Sequence, residues 1–505
     1  MRRRIGGTEV HDVVVVGCGP TGLMLAAELR LAGADVVVLE RRATQDLVGS
    51  RGGGIHARTI ELLDQRGIAD RFLAEGTTVP AVTFGGTRLE LGALPTRHPY
   101  TLALFQGRIE RLLLGWAQER GVPVRRGVEV VGVQQDDDGV DVLLETGDPV
   151  RARLVVGADG GRSVVRRAVG IDLVGPAATR TTLIADVQVD GDLQRTGTVD
   201  ERGPHGLTRM ADGTVRVVLT EATPSDGEPT LDDLRRGLTE VFGTDFGVHD
   251  PTWLSRFSDA TRQATSYRAG RVLLAGDAAH VHSPTGGQGI GLGLQDAVNL
   301  GWKLGQVVRG RSGDTLLDTY HAERHPAGAR ALGYTMAQSL FQRSDPRQEA
   351  LRDLLDTVLA VDGADEPVTG LATGLDVAYD LGAGHPLLGR RMPDLDLVPQ
   401  GRARPGGAPA GGPARLFELL HPARPVLLEL GGPALDAGPW SGYVRHVTAT
   451  SDGPWVLPVL GEVAAPTAVL VRPDGHVAWV GEGSAEGLHD ALATWCGTAD
   501  GRRPR

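Results

Sequence analysis

The stretch that decides the fold is His11-Asp12-Val13-Val14-Val15-Val16-Gly17-Cys18-Gly19-Pro20-Thr21-Gly22. A continuous β-branched run reads as a parallel strand buried on both faces. Gly-x-Gly-x-x-Gly follows it, then an Ala/Leu-rich helix to about residue 32 and a second strand over residues 34–39 closed by Glu40. In such a unit Gly17 allows the tight turn, Gly19 lets backbone approach a pyrophosphate, and Gly22 lets helix and strand pack closely. The helix start at Pro20 and Thr21 presents N–H groups and partial positive charge to the phosphates. Glu40 stands about 20 residues past the last glycine, where an acid reaches a ribose hydroxyl. Arg41 beside it joins the expected dinucleotide contacts.

Working outward, two further strand-turn segments share this pattern. Leu154-Val155-Val156-Gly157-Ala158-Asp159-Gly160-Gly161-Arg162-Ser163 is a strand, an Asp-Gly turn and a helix start. Arg271-Val272-Leu273-Leu274-Ala275-Gly276-Asp277-Ala278-Ala279-His280 is another buried strand ending in Gly-Asp. At a strand's carboxyl end, Asp277 is placed to accept from a polyol hydroxyl. His282-Ser283-Pro284-Thr285-Gly286-Gly287-Gln288-Gly289 then leads into a helix over about 290–304, and glycine-loop N–H groups at a helix start form an anion site. Residues 289–293 resemble a second phosphate loop, but no strand precedes them, so no separate nicotinamide domain is expected. His280 and His282 lack a third ligand nearby and are read as structural, with no metal site.

Together the three motifs resemble the para-hydroxybenzoate hydroxylase type of class A FAD-dependent aromatic monooxygenase. The resemblance covers residues 10–335 closely, including Leu317-Asp318-Thr319-Tyr320-His321-Ala322-Glu323-Arg324-His325-Pro326, and the remainder loosely. It implies FAD contacts from Gly17, Gly19, Pro20, Thr21, Gly22, Glu40, Arg41, Arg51, Gln106, Asp159, Asp277, Pro284, Gly287, Gln288 and Gly289. It gives Arg51, in the flexible segment 50–58, a part in handling the nicotinamide coenzyme, and puts Pro284 against the ring face. The implied reaction consumes NADPH or NADH and O2: reduced flavin forms a C4a-hydroperoxide that hydroxylates an aromatic, polyketide-type substrate. Rivals with the same cofactor are Baeyer–Villiger oxygenation, epoxidation and inactivation of an antibiotic such as rifampicin. From another class come an FAD-bound reductase and a drug-sequestering protein.

The expected architecture is α/β: a Rossmann-type FAD domain (1–172 and 268–335), an inserted β-sheet substrate domain (173–267), a helical connector (336–400), and a thioredoxin-like domain (401–505). In the insert, Asp212-Gly213 is a hairpin signal. A two-residue turn there sets Arg209 opposite Arg216, two like charges that either splay into solvent or meet an anionic or polyphenolic ligand between them. No Tyr or His in the insert is marked as a general base. At the carboxyl end, residues 340–390 read as helical and 401–413 as a linker. Strands follow at 425–430, 468–472 and 476–480, and a helix at 485–495. With no Cys-x-x-Cys and Cys496 alone, this unit is read as a packing or dimer-forming element.

Composition bounds the partners. The 505 residues carry a net charge of −11 and a pI near 5.7, which argues against nucleic acid and anionic membrane. No run approaches the roughly 20 apolar residues of a membrane helix, so a soluble, cytoplasmic monomer or homodimer is expected. Lys303 is the only lysine, the mark of a GC-rich genome.

Overall fold

A computed structural model describes residues 3–5, 8–50, 52–191, 193, 195–399 and 414–498. The linker read at 401–413 and the side chain of Arg51 lie outside the described residues.

The chain opens with β1 (Thr8–Val16), α1 (Pro20–Leu31) and β2 (Val36–Glu40). After α2 (Ala57–Asp64) and α3 (Gln106–Glu119) come β3 (Val124–Arg126), β4 (Val130–Gln135), β5 (Val140–Leu144) and β6 (Val150–Gly157). Strand β1 pairs in parallel with β2 and β6, and β2 with β3. The Val13–Val16 side chains lie in the main core, which is why this run carries no polar alternation. The short α4 (Val164–Ala168) follows β6.

The insert forms β7 (Thr181–Gln188), β8 (Arg195–Val199), β9 (Pro204–Arg209), β10 (Val215–Thr220), α5 (Leu231–Phe242) and β11 (His249–Ser258). These strands make one antiparallel sheet in the order β8-β9-β10-β7-β11. Leu183, Ala185, Val187, Leu207, Val215, Val217 and Leu219 face Leu234 and Leu238 of α5. The chain then returns to the first sheet as β12 (Val272–Leu274), parallel to β6.

Helix α6 (Gln288–Val308) lies against α1 through Gly293, of the segment that resembled a phosphate loop, and Gly305 further along. A methyl at Gly293 would stand 2.2 Å from Thr21 Oγ1, and one at Gly305 2.2 Å from the Ala32 Cβ. Those glycines serve close helix packing. Helices α7 (Asp318–Leu340), α8 (Pro346–Leu359) and α9 (Glu366–Thr373) follow.

The helical reading of 340–390 holds only to Thr373. Gly374 caps α9 with φ +74°, and residues 374–395 form no helix. Gly382, Gly384, Pro386 and Gly389 account for this, since Gly and Pro both disfavour helix interiors. The carboxyl-terminal sheet also begins before residue 401. Its strand β13 (Asp396–Pro399) pairs with β15 (Arg445–Thr450), which lies beside β14 (Val426–Glu429), then β16 (Ala468–Val471) and β17 (Val477–Gly481); α10 (Leu488–Cys496) closes the chain. Strands β14 and β15 are parallel; β14 with β16 and β16 with β17 are antiparallel. The order β15-β14-β16-β17 is the thioredoxin arrangement, and Cys496 is buried against Leu492 in its core.

This unit is joined to the FAD domain by buried charge. Arg472 bonds both Glu323 oxygens at 2.7 and 2.8 Å and Asp474 at 2.5 Å, while Lys303 Nζ stands 2.9 Å from Glu323. Arg66 pairs with Glu28 and also donates to the Pro473 carbonyl at 2.8 Å.

Candidate functional site

The candidate cofactor cradle sits at the carboxyl ends of β1, β6 and β12. Gly17 has φ +106°, and a side chain there would meet the Ala158 carbonyl oxygen at 2.3 Å, so only glycine lets the two strand ends approach. A methyl at Gly22 would lie 2.0 Å from the Gly17 carbonyl oxygen, whereas one at Gly19 would meet nothing within 4 Å. The middle glycine faces open space where a phosphate fits, and Pro20 starts the helix at its first position. Thr21 packs against Gly276 and so ties the first motif to the third.

Glu40 is buried, with Oε2 accepting from Cys18 N and Oε1 from Arg42 N, both at 2.8 Å. Arg41 is exposed; Arg42 is the inward arginine, 3.0 Å from Glu110. Glu110 accepts from Gln106 Nε2 at 2.9 Å and from Gln45 Nε2 at 2.6 Å. A polar chain Glu40–Arg42–Glu110–Gln106 therefore runs between two expected cofactor contacts. Sequence reading missed Arg42 and the role of Glu110, although Gln106 and Glu110 stand one helical turn apart on one face.

Asp159 faces inward to its own helix. Its carboxylate accepts from Ser163 Oγ at 2.5 Å and from the N–H groups of Val164 and Val165 at 2.7 and 3.1 Å, capping α4. Asp277, in the turn Gly276–Ala278 after β12, is exposed. The neighbouring Gly276 N–H is anchored to Asp296 at 3.1 Å. Asp296 also lies 2.7 Å from His280 Nε2 and 2.8 Å from Arg324 Nε, which gives His280 a structural partner.

The loop before α6 takes its shape from Gly286 and Gly287, with φ of +77° and +66°. Two groups hold the Gly286 carbonyl: His56 Nε2 at 2.8 Å and Gln288 Nε2 at 3.2 Å. Gln288 also donates to Ala372 at 2.9 Å, so its amide nitrogen braces the loop. The first N–H groups of α6, from Gln288 and Gly289 onward, have no carbonyl to meet inside the helix. His282 Nδ1 bonds the Ser283 carbonyl at 2.7 Å.

Both histidines keep a buried ring nitrogen without a partner among the described residues, His56 Nδ1 and His282 Nε2. Burial lowers both pKa values, so each ring is neutral. The nitrogen bonded to a carbonyl carries the hydrogen, and the other is left as an acceptor. His282 Nε2 is 3.5 Å from where a Gly289 Cβ would stand. Orphaned acceptors beside the loop, an exposed Asp277 and open space at Gly19 together fit FAD.

Residues flanking Arg51 are held from two sides. Gly52 O accepts from Gln106 N at 3.1 Å, and Ser50 O from Arg216 Nη1 at 3.2 Å. Arg216 points from β10 toward the flavin domain, with its guanidinium 5.2 Å from the Phe105 ring and 5.8 Å from Trp253. Asp186 on the next strand grips it by two bonds of 2.8 Å.

The hairpin register corrects the expected Arg209–Arg216 pair. Met210 N donates to Thr214 O, and Gly213 adopts φ +88°, so the loop has one residue more than a two-residue turn. Arg209 therefore faces Val215 and Arg216 faces Thr208. A one-residue slip moves a side chain to the other face. Arg209 lies on the α5 side and donates to the carbonyls of Leu193, Gly213 and Gly191; it does not line the flavin side.

Residues 10–335 match the FAD binding domain family, and residues 385–499 match the aromatic-ring hydroxylase carboxyl-terminal family. The chain belongs to the FAD-dependent aromatic-ring hydroxylases. Among its relatives, the rifampicin monooxygenase of Streptomyces venezuelae is 43% identical over 503 residues, covering 97% of this chain and 99% of that protein. The solved OxyS anhydrotetracycline hydroxylase from Streptomyces rimosus superposes with a TM-score of 0.88 at 43% identity, over 97% of this chain and 99% of that one. A dialkyldecalin synthase of Streptomyces rugosporus is 39% identical over 497 residues, 96% of this chain and 99% of that protein. This hydroxylase is thus an FAD-dependent monooxygenase. Among the described residues no helix is long and apolar enough to cross a membrane.

Proposed function

We propose that this hydroxylase consumes NAD(P)H and O2 to add one hydroxyl to a fused aromatic, polyketide-type substrate lying between the insert sheet and the cofactor loop. The observation that carries it is the Arg216 rung. Asp186, Arg216 and Trp253 lie side by side on three paired strands, and the next rung of the same face is Ile184, Val218 and Ser255. A flat ring system would rest on Ile184 and Val218 of that rung while a phenol oxygen reaches the guanidinium, which Asp186 holds by its fork. The relatives' names, rifampicin and anhydrotetracycline, are of this substrate class.

Bound FAD supplies hydride acceptance from the coenzyme and transfer of one atom of O2. The chain's part is to hold and orient. In this reading Glu40 and residues 17–22 hold the adenosine half and Asp277 a ribityl hydroxyl. The α6 N–H groups steady negative charge, Pro284 lies against the ring face, and Arg51 serves the coenzyme. We place the protein in the cytoplasm as a monomer or homodimer, with domain limits at 172, 267 and about 385. The test is a panel of fused polyphenols. NADPH oxidation should accelerate with the right one, and the product should be one oxygen heavier. A product of unchanged mass would favour the second reading, non-oxygenating chemistry, for which the synthase among the relatives speaks.

A further inference from the structure

Away from the cradle, the seam between the FAD domain and the carboxyl-terminal unit contains a cavity of about 580 Å³. Its walls include Arg120, Arg309, Arg311 and Arg424 with His421 and Tyr443, and no carboxylate lines it. Among the described residues three of these guanidiniums have neutral partners: Arg309 donates to Gly33 O, Arg424 to Tyr443 O at 2.9 Å, and Arg311 lies 4.1 Å from the Tyr443 ring. Arg120 lies near the exposed Glu119, outside the cavity lining. Arg120 and Arg309 are exposed. Elsewhere in the same seam, Arg66 holds Glu28 and Arg472 holds Glu323 and Asp474. Arg445 adds a buried Nε with no partner among the described residues, beside Arg424.

Helix ends explain part of this. Arg120 and Arg309 cap the carboxyl termini of α3 and α6, where a cation is favoured. Arg311 and Arg424 have no such reason to converge on the same space in a chain of net charge −11. Like charges around one cavity repel unless an anion lies between them, and planar guanidinium forks match phosphate oxygens. The cavity meets α1 at its carboxyl end, roughly 18 Å along that helix from the glycine turn at its start.

We propose that this cavity binds a small phosphate-bearing ligand carrying two or more negative charges, independently of the FAD cradle. The test is calorimetric titration of the FAD-loaded protein with inorganic pyrophosphate and with ADP, with flavin absorbance followed in parallel. Saturable binding of at least one probe with flavin retained is expected. The Arg120→Ala/Arg309→Ala double variant, altered only at exposed side chains, should bind at least tenfold more weakly with unchanged flavin content. Its melting temperature should be lowered by no more than about a few degrees for the two lost helix-end cations. Arg424→Lys, which keeps the charge and loses the fork, should show a smaller loss. Absence of saturable binding, equal affinity in the double variant, or binding accompanied by flavin release would each overturn the proposal.

Discussion

The seam and the cradle differ in how they treat charge. In the seam, Glu323 meets Arg472 and Lys303, Asp474 meets Arg472, and Asn299 Nδ2 donates to Glu323 at 2.7 Å. In the cradle, His56 Nδ1 and His282 Nε2 are buried without partners and Asp277 stands open. An unsatisfied buried polar atom costs about 1–3 kcal/mol. The protein therefore joins its domains through its own charge pairs, although Gln65 and His476 keep unmet polar atoms there too among the described residues. The unmet ring nitrogens of His56 and His282, by contrast, border the proposed cofactor loop. Substitutions in the first region should register as stability, and in the second as cofactor affinity.

The largest effect is expected from breaking the seam. Arg472→Ala leaves Glu323 and Asp474 facing each other in a buried site, at a cost of about 3–5 kcal/mol. Chemical denaturation should show that loss, and near-normal stability would mean the network is not holding the domains. The pH dependence follows the same network. Burial pushes the Glu323 carboxyl up, but Arg472 and Lys303 outweigh it and hold its pKa at about 2, below the ordinary 4.5. A carboxyl depressed on folding stabilises above its ordinary pKa and ceases to do so as pH falls through the folded value. The melting temperature should fall as pH drops from about 4.5 toward 2, and Glu323→Gln should flatten that part of the curve.

Next in size is Asp277→Ala. Removing the open carboxylate should weaken FAD by about 1–3 kcal/mol while leaving the apoprotein's melting temperature unchanged. Loss of stability without loss of FAD would reverse the assignment of that residue to the cradle.

Arg216→Ala sits between the two regions. It removes one charge-assisted contact and should raise the substrate's Kd by roughly 10-fold, about 1.4 kcal/mol, with FAD content unchanged. Flavin-difference titration with the substrate checks it; unaltered affinity would leave Arg216 as a strut for Ser50 alone. The smallest effect is expected from His282→Leu, which deletes a single neutral acceptor and should cost FAD about 1 kcal/mol, some fivefold in Kd. Unchanged FAD affinity would show that the orphaned nitrogen faces something other than the cofactor.

What could be read in the sequence follows from how each signal arises. The run of valines at 13–16 announces a doubly buried parallel strand because such burial leaves no room for alternation, and Gly17 announces its turn because only glycine fits against Ala158. The hairpin of the insert was harder. Asp212-Gly213 suits a two-residue turn and also a three-residue loop with Gly213 at positive φ. The choice between them, made in part by Asp212 Oδ1 bonding Thr214 N at 3.0 Å, decides which face Arg209 occupies. Strand β15 went unread because most of its side chains are only half buried and the Arg445-His446-Val447-Thr448 run carries no clean alternation. Of the proposed cofactor contacts, the glycines and Asp277 were visible as local pattern. The Arg42–Glu110 link was not, since it joins a loop and a helix that meet only in three dimensions.

The most direct test of the account is the identity of the flavin the protein selects. In the proposed reading Glu40 and the turn at residues 17–22 hold an adenosine and its pyrophosphate, groups that FMN lacks. Purified protein should be yellow and release FAD on denaturation, and the apoprotein should regain colour with FAD but not with FMN. Release of FMN, or a colourless protein that FAD does not reconstitute, would contradict the account.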